Sequence, residues 1–195
     1  MWRSELQGIA RAEQRASRTI DQLLALARVT EGGLPLPLQT LALDVLARDV
    51  VLRFLPRADA LGVDLGADGL DQALPVRGDA GLIEGIATNL LDNALRYGAG
   101  APSPRITLDL RVDGAWAVLR VTDNGPGLDA ALAGRLGQRW AQGDPGQQLG
   151  LGAGLGLAIV HRHAAAMGGR FALDAAEGGT GLAASVWLPL ASSAT

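Results

Sequence analysis

Leu82, Ile83, Ile86, Ala87, Leu90, Leu91, Ala94 and Leu95 recur three and four residues apart, a spacing that predicts a helix with one apolar face turned to a core. Asn89 and Asn93 sit within this run, four residues apart, and therefore share one face of the helix. Burial accounts for the apolar positions and leaves the two amides unexplained. A buried amide needs hydrogen-bond partners. Those partners are either a neighbouring loop or a ligand, and that face can hold a metal with its phosphates.

The rest of the chain limits which ligands are sensible. With 195 residues and 48% apolar content it suits one ordinary domain plus an appendage. Seventeen basic and twenty acidic residues give a formal charge of −3, so no single-sign field recommends nucleic acid or an anionic membrane as the main partner. The absence of cysteine excludes disulfides, thiolate metal sites and cysteine nucleophiles. No apolar stretch approaches the roughly 20 residues that cross a bilayer, and Met1, Trp2, Arg3, Ser4 and Glu5 do not resemble a signal peptide. A soluble chain is expected.

Leu6, Ile9, Glu13, Ala16, Ile20, Leu23 and Ala27, widened by Ala10 and Leu24, predict one long amphipathic helix. Its stripe is too narrow and too long for a core helix, so it calls for a second helix or a second copy of the chain. Glu31, Gly32 and Gly33 end it, and Pro35 and Pro37 mark an extended connection. A helix over 43–61 follows, then short extended pieces over 62–65 and 74–77 flanking a loop over 66–72. Asp79 is positioned to cap the asparagine helix. Ile106, Leu108, Leu110 and Val112 alternate with polar residues, and after Asp113 and Gly114 a second strand over 116–122 completes a hairpin. Residues 125–153, rich in Gly, Gln and Asp, read as a long functional loop. A helix over 154–167 and a hairpin of 169–175 with 182–190, turned at 178–181, complete an α+β two-layer sandwich, a mixed sheet with helices on one face.

Two further segments carry chemistry. Asp123, Asn124, Gly125, Pro126 and Gly127 follow a strand directly; a carboxylate there can accept from an exocyclic amine while glycine backbone approaches a flat ring. The same residues also suit a plain tight turn. Gly150, Gly152, Gly154 and Gly156 alternate with Leu151, Ala153 and Leu155 on the way into a helix, offering bare N–H groups and a helix N-terminus to an anion. A flexible hinge uses the same glycines. The dinucleotide pattern G-x-G-x-x-G and the P-loop ending are both absent.

Taken in this order, the three segments resemble the nucleotide-binding boxes of the GHKL ATPase superfamily with its Bergerat fold, and specifically the catalytic ATP-binding domain of bacterial sensor histidine kinases. The asparagine helix is similar to the N box, the segment from Asp123 to Gly127 to the G1 box, and the Gly152, Gly154 and Gly156 loop to the G2 box. The long first helix resembles the second helix of a dimerisation and histidine phosphotransfer hairpin. The resemblance thus implies two domains, an incomplete hairpin over 1–31 and a catalytic ATP-binding domain over 35–191.

The resemblance also implies roles for individual residues. Asn93 would hold Mg²⁺ with Asn89 assisting, as neutral oxygen ligands suited to a metal that keeps several waters. Arg96 would pair with phosphate oxygens, Tyr97 would pack beside adenine, and Asp123 would accept from the adenine 6-amine. Gly125 and Gly127 would shape the adenine floor; Gly152, Gly154, Leu155 and Gly156 would close over the triphosphate. Hydrolysing relatives such as gyrase carry a glutamate where Asn89 stands, and an amide cannot act as a base, so slow hydrolysis is expected. The phenylalanine-rich box expected in the lid is replaced by Arg135, Leu136, Gly137, Gln138, Arg139 and Trp140, among which Arg139 or Gln138 could reach the γ-phosphate.

His161 and His163 lack the acidic neighbour of a phosphoacceptor motif and read as surface or packing residues. The expected activity is protein histidine kinase, moving the ATP γ-phosphoryl group to a histidine this chain does not contain. Expected partners are ATP and ADP, the hairpin of the same protein and a cognate response regulator, with no nucleic acid. A homodimeric full-length sensor in the inner membrane, with this part cytoplasmic, follows from the same resemblance. The alternatives are a non-catalytic ATP-binding regulatory module and an anti-sigma-factor-type serine kinase.

Overall fold

The computed structural model describes residues 37–127, 154–177 and 179–191, all within the compact unit Leu36–Thr195. Its elements run β1 (Gln39–Ala42), α1 (Leu43–Ala60), β2 (Asp64–Asp68), β3 (Pro75–Gly78), α2 (Ala80–Gly98), β4 (Arg105–Asp113), β5 (Trp116–Asp123), α3 (Gly154–Ala166), β6 (Arg170–Ala175) and β7 (Leu182–Pro189). The expected long helix over 1–31 lies outside the described residues.

Five strands form a mixed sheet in the order β2-β4-β5-β7-β6, with β2 parallel to β4 and the other neighbours antiparallel. Period-2 alternation decides which face meets the helices. Ile106, Leu108 and Leu110 of β4, Ala117, Leu119 and Val121 of β5, and Ala184, Val186 and Leu188 of β7 enter one core with apolar residues of α1, α2 and α3. Thr107, Asp109 and Arg111, their neighbours on β4, face the other way. The α+β two-layer architecture with helices on one face is as expected.

Two local expectations change. The pieces over 62–65 and 74–77 do not flank a simple loop: β2 runs through Gly66 to Asp68 and joins the main sheet, whereas β3 pairs with the unanticipated strand β1 in a separate two-stranded sheet. Strand β1 is short and mostly exposed, and so carries almost no alternation to read. The second sheet is tied to the first by a bridge between Val76 and Leu190.

Helix α2 is the spine of the domain. Asp79 caps it, its Oδ1 accepting from the Leu82 N–H at 3.0 Å. Its apolar stripe is fully buried from Leu82 to Leu95. On the α1 side, Arg57 pairs with Asp92 and Arg53 with Glu84, holding α2 in rotation. Asp92 turns to α1, and Asn89 lies against α3, next to Gly156.

Candidate functional site

Asn89 and Asn93 are both half-buried on α2, one turn apart. The Asn89 amide is oriented by its own helix, its Nδ2 donating to the Gly85 carbonyl at 2.7 Å. Its Oδ1 consequently points toward α3, where a β-carbon at Gly156 would lie 3.2 Å away. Glycine at 156 lets the first turn of α3 approach the amide. Arg96 continues the asparagine stripe toward the end of α2, exposed, with its guanidinium 5.5 Å from the centroid of the Tyr97 ring. Gly154 and Leu155 open α3, whose first N–H groups have no intrahelical acceptor. A helix N-terminus faced by an amide oxygen suits an anion accompanied by a cation.

The C-terminal end of α2 meets Asp123. This carboxylate is buried at 7% exposure and accepts from the Gly125 N–H at 2.9 Å and from the Leu182 N–H. Burial raises its pKa above the ordinary aspartate value, with the two N–H groups opposing the rise. Glycines crowd it on every side. A β-carbon at Gly98 would lie 2.9 Å from Asp123 Cβ, and one at Gly125 would lie 2.8 Å from the Gly98 Cα. Gly181, at φ +99°, would place a β-carbon onto the Asp123 carbonyl oxygen, and Gly127, at φ +74°, packs on the Gly181 carbonyl. Beside them opens a cleft of about 610 Å³, lined by Tyr97, Ala101, Ser103, Asn124, Gly125 and Thr180 among others.

From Gly98 to Asn89 the helix rises about 14 Å, so one straight element carries both ends of the site. A buried carboxylate stands at its C-terminal end, and the N-terminus of α3 stands beside Asn89. The structure thus brings together Asn89, Asn93, Arg96, Tyr97, Asp123, Gly125, Gly127 and Gly156, with Gly154 and Leu155 at the start of α3. Arg139, Gly152 and the lid segment from Arg135 to Trp140 lie outside the described residues.

Gly98, Gly181 and the Leu182 N–H also build the site and were not singled out from the sequence. The signal was present in the glycine-rich turn before the last strand, which reads locally as a hairpin connection and nothing more. The packing reading of His163 agrees with its 3% exposure. His163 packs so closely on α2 that a β-carbon at Gly85 would lie 3.1 Å from its ring. No helix among the described residues is long and apolar enough to cross a membrane.

Residues 78–192 match the family described as "Histidine kinase-, DNA gyrase B-, and HSP90-like ATPase". The chain is 34% identical over 192 residues to "Probable sensor histidine kinase TcrY" of Mycobacterium tuberculosis, covering 95% of this chain and 39% of that protein. It is 31% identical over 181 residues to "Sensor protein kinase PmrB" of Pseudomonas aeruginosa, covering 93% of this chain and 37% of that protein. The chain therefore spans well under half the length of these curated relatives. Among solved structures, full-length ShkA in complex with AMPPNP superposes with a TM-score of 0.73 at 26% identity, over 97% of this chain and 39% of ShkA. The catalytic domain of histidine kinase ThkA shares the fold, with a TM-score of 0.66 at 19% identity over 79% of this chain and 97% of that domain.

Proposed function

We propose, from the premise that this chain belongs to the histidine kinase-, DNA gyrase B- and HSP90-like ATPase family, that its site binds ATP with Mg²⁺ and presents the γ-phosphoryl group to a histidine outside this chain. The observation that carries this reading is the buried Asp123 carboxylate at the C-terminal end of α2, with Asn89 at mid-helix against the first turn of α3. Asp123 accepts the adenine 6-amine, since its own hydrogen bonds to Gly125 and Leu182 leave acceptor capacity on a carboxylate. Tyr97 flanks the base, and Gly125 and Gly127 let it approach the backbone. The phosphates lie along the asparagine stripe toward the α3 N-terminus, where Arg96, Gly152, Gly154, Leu155 and Gly156 contact them and Arg139 reaches the γ-phosphate.

Asn93 and Asn89 suit Mg²⁺ as neutral oxygen donors, the Asn89 oxygen being directed off the helix by the bond of its Nδ2 to Gly85. Bound there, the ion would neutralise phosphate charge. Asn89 cannot deprotonate water, because an amide has no basic lone pair to use. The chain therefore holds ATP for an external nucleophile and hydrolyses it slowly. We place that nucleophile on the first helix of a dimerisation and phosphotransfer hairpin, with residues 1–31 as the second helix and residues 35–191 as the catalytic domain. The full-length protein is then a homodimeric sensor of the inner membrane, this part cytoplasmic, that passes phosphate to a response regulator.

Incubating the chain with γ-labelled ATP and a separately prepared hairpin tests this directly. Acid-labile label on the hairpin is expected. Robust steady-state hydrolysis by the chain alone, or ATP binding without transfer to any hairpin, would overturn the kinase reading.

A further inference from the structure

Strands β4 and β5 stay in register as far as Ile106 opposite Asp123, so the next antiparallel pair is Arg105 with Asn124. In an unbroken ladder such a pair exchanges two backbone hydrogen bonds. Here the backbone makes one of them, the Asn124 N–H donating to the Arg105 carbonyl at 3.2 Å. The other is taken by the side chain, the Arg105 N–H donating to Asn124 Oδ1 at 2.7 Å. The same carboxamide reaches further, its Nδ2 donating to the Ser103 carbonyl at 2.8 Å.

Asn side chains mimic backbone in this way wherever a chain must leave regular structure abruptly. With Oδ1 standing in for its own carbonyl, residue 124 ends the ladder without leaving the Arg105 N–H unpaired. The chain departs from the sheet at once, and the next N–H, that of Gly125, turns back onto Asp123 Oδ1 at 2.9 Å. Ser103 and Asn124 both line the cleft, so the carboxamide also fastens one wall to the other.

We propose that Asn124 is a positioning residue for nucleotide recognition: its carboxamide sets the turn that aims the Asp123 carboxylate. The inference rests on Asp123 being the acceptor for the adenine 6-amine. Loss of the carboxamide releases the 103–105 segment and lets the turn relax into a longer ladder, rotating the Gly125 N–H away from Asp123. Asn124→Asp keeps the acceptor for Arg105 and loses the donor to Ser103, an intermediate defect.

The test compares ATP with purine riboside 5′-triphosphate, which has hydrogen in place of the 6-amine, both with Mg²⁺ and the whole chain. Asn124→Ala is expected to weaken ATP about tenfold and the analogue less than about twofold, a loss of preference that general loosening of the domain does not produce. In the Asp123→Asn background the same substitution is expected to change ATP affinity less than about twofold, because coupled residues are not additive. Equal weakening of both nucleotides, or full additivity with Asp123→Asn, overturns the proposal while leaving the adenine reading intact. Asp123→Asn protein that keeps the wild-type preference for ATP overturns the adenine reading, and the proposal with it. Should Asn124→Ala fail to fold, Asn124→Asp carries the same comparison, with a smaller loss confined to ATP.

Discussion

Gly98 and Asp123 are in contact through the space a side chain would fill: a β-carbon on Gly98 would lie 2.9 Å from Asp123 Cβ. The last turn of α2 and the end of β5 meet there because one of them is glycine. Gly98→Ala should therefore push the carboxylate out of its pocket. ATP affinity is expected to fall about tenfold, about 1.4 kcal/mol, with a stability loss of about 1–3 kcal/mol from overpacking. Isothermal titration and thermal melting check this; unchanged nucleotide binding would show that Asp123 tolerates displacement.

Gly181 and Gly179 separate two costs in one turn. Both have positive φ, at +99° and +81°, but only Gly181 lies where a β-carbon would overlap the Asp123 carbonyl; nothing stands within 4 Å of one at Gly179. Gly179→Ala is expected to cost about 1 kcal/mol from the left-handed backbone alone. Gly181→Ala is expected to cost about 2–4 kcal/mol, adding overpacking against backbone to that strain. Urea denaturation reads both, and equal losses would remove the steric role assigned to the turn.

Asn93→Ala tests the metal. If Asn93 holds Mg²⁺, its removal abolishes the part of ATP affinity that depends on the ion, about tenfold or about 1.4 kcal/mol. Titrations with Mg²⁺ and with EDTA should differ for the wild type and converge for the variant. Persistence of the wild-type difference would move the metal elsewhere.

His163 makes the fold sensitive to acid. Burial lowers its pKa below the ordinary histidine value, opposed by the nearby Leu82 backbone and the Asp79 carboxylate. The native state then binds fewer protons than the unfolded chain between the lowered value and about 6.5. Stability rises with pH across that window and levels off above it. His161, also lowered by burial and by Arg162, adds slope in the same direction. His163→Leu should flatten the stability profile between pH 5 and 7, leaving the His161 contribution. An unaltered profile in denaturant melts across that range would refute the assignment.

Much of the fold was legible because local chemistry and tertiary context agree. The apolar spacing of α2, its Asp79 cap, and the alternation of β4 and β5 around Asp113 and Gly114 each stabilise the element they predict. The exceptions are elements whose partners are remote in sequence. Strand β2 pairs in parallel with β4, with Asp64 opposite Arg105 across the whole of α2, and β1 has too little buried surface to show a pattern. Neither leaves a periodic mark.

Residue chemistry and order along the chain determined that amides, a carboxylate and a glycine-rich helix start would come in three segments suited to a charged nucleotide. They could not determine which amide oxygen turns outward, since that depends on the Asn89 bond to Gly85 and on α3 packing at Gly156. Nor could they show that Gly98, Gly125 and Gly181 converge on Asp123, with Gly127 packed on Gly181. A glycine is required where two distant backbones meet, and only the tertiary structure decides where they meet. The same holds for Asn124, an ordinary turn residue by its neighbours, whose carboxamide completes a ladder to a strand that begins 19 residues earlier.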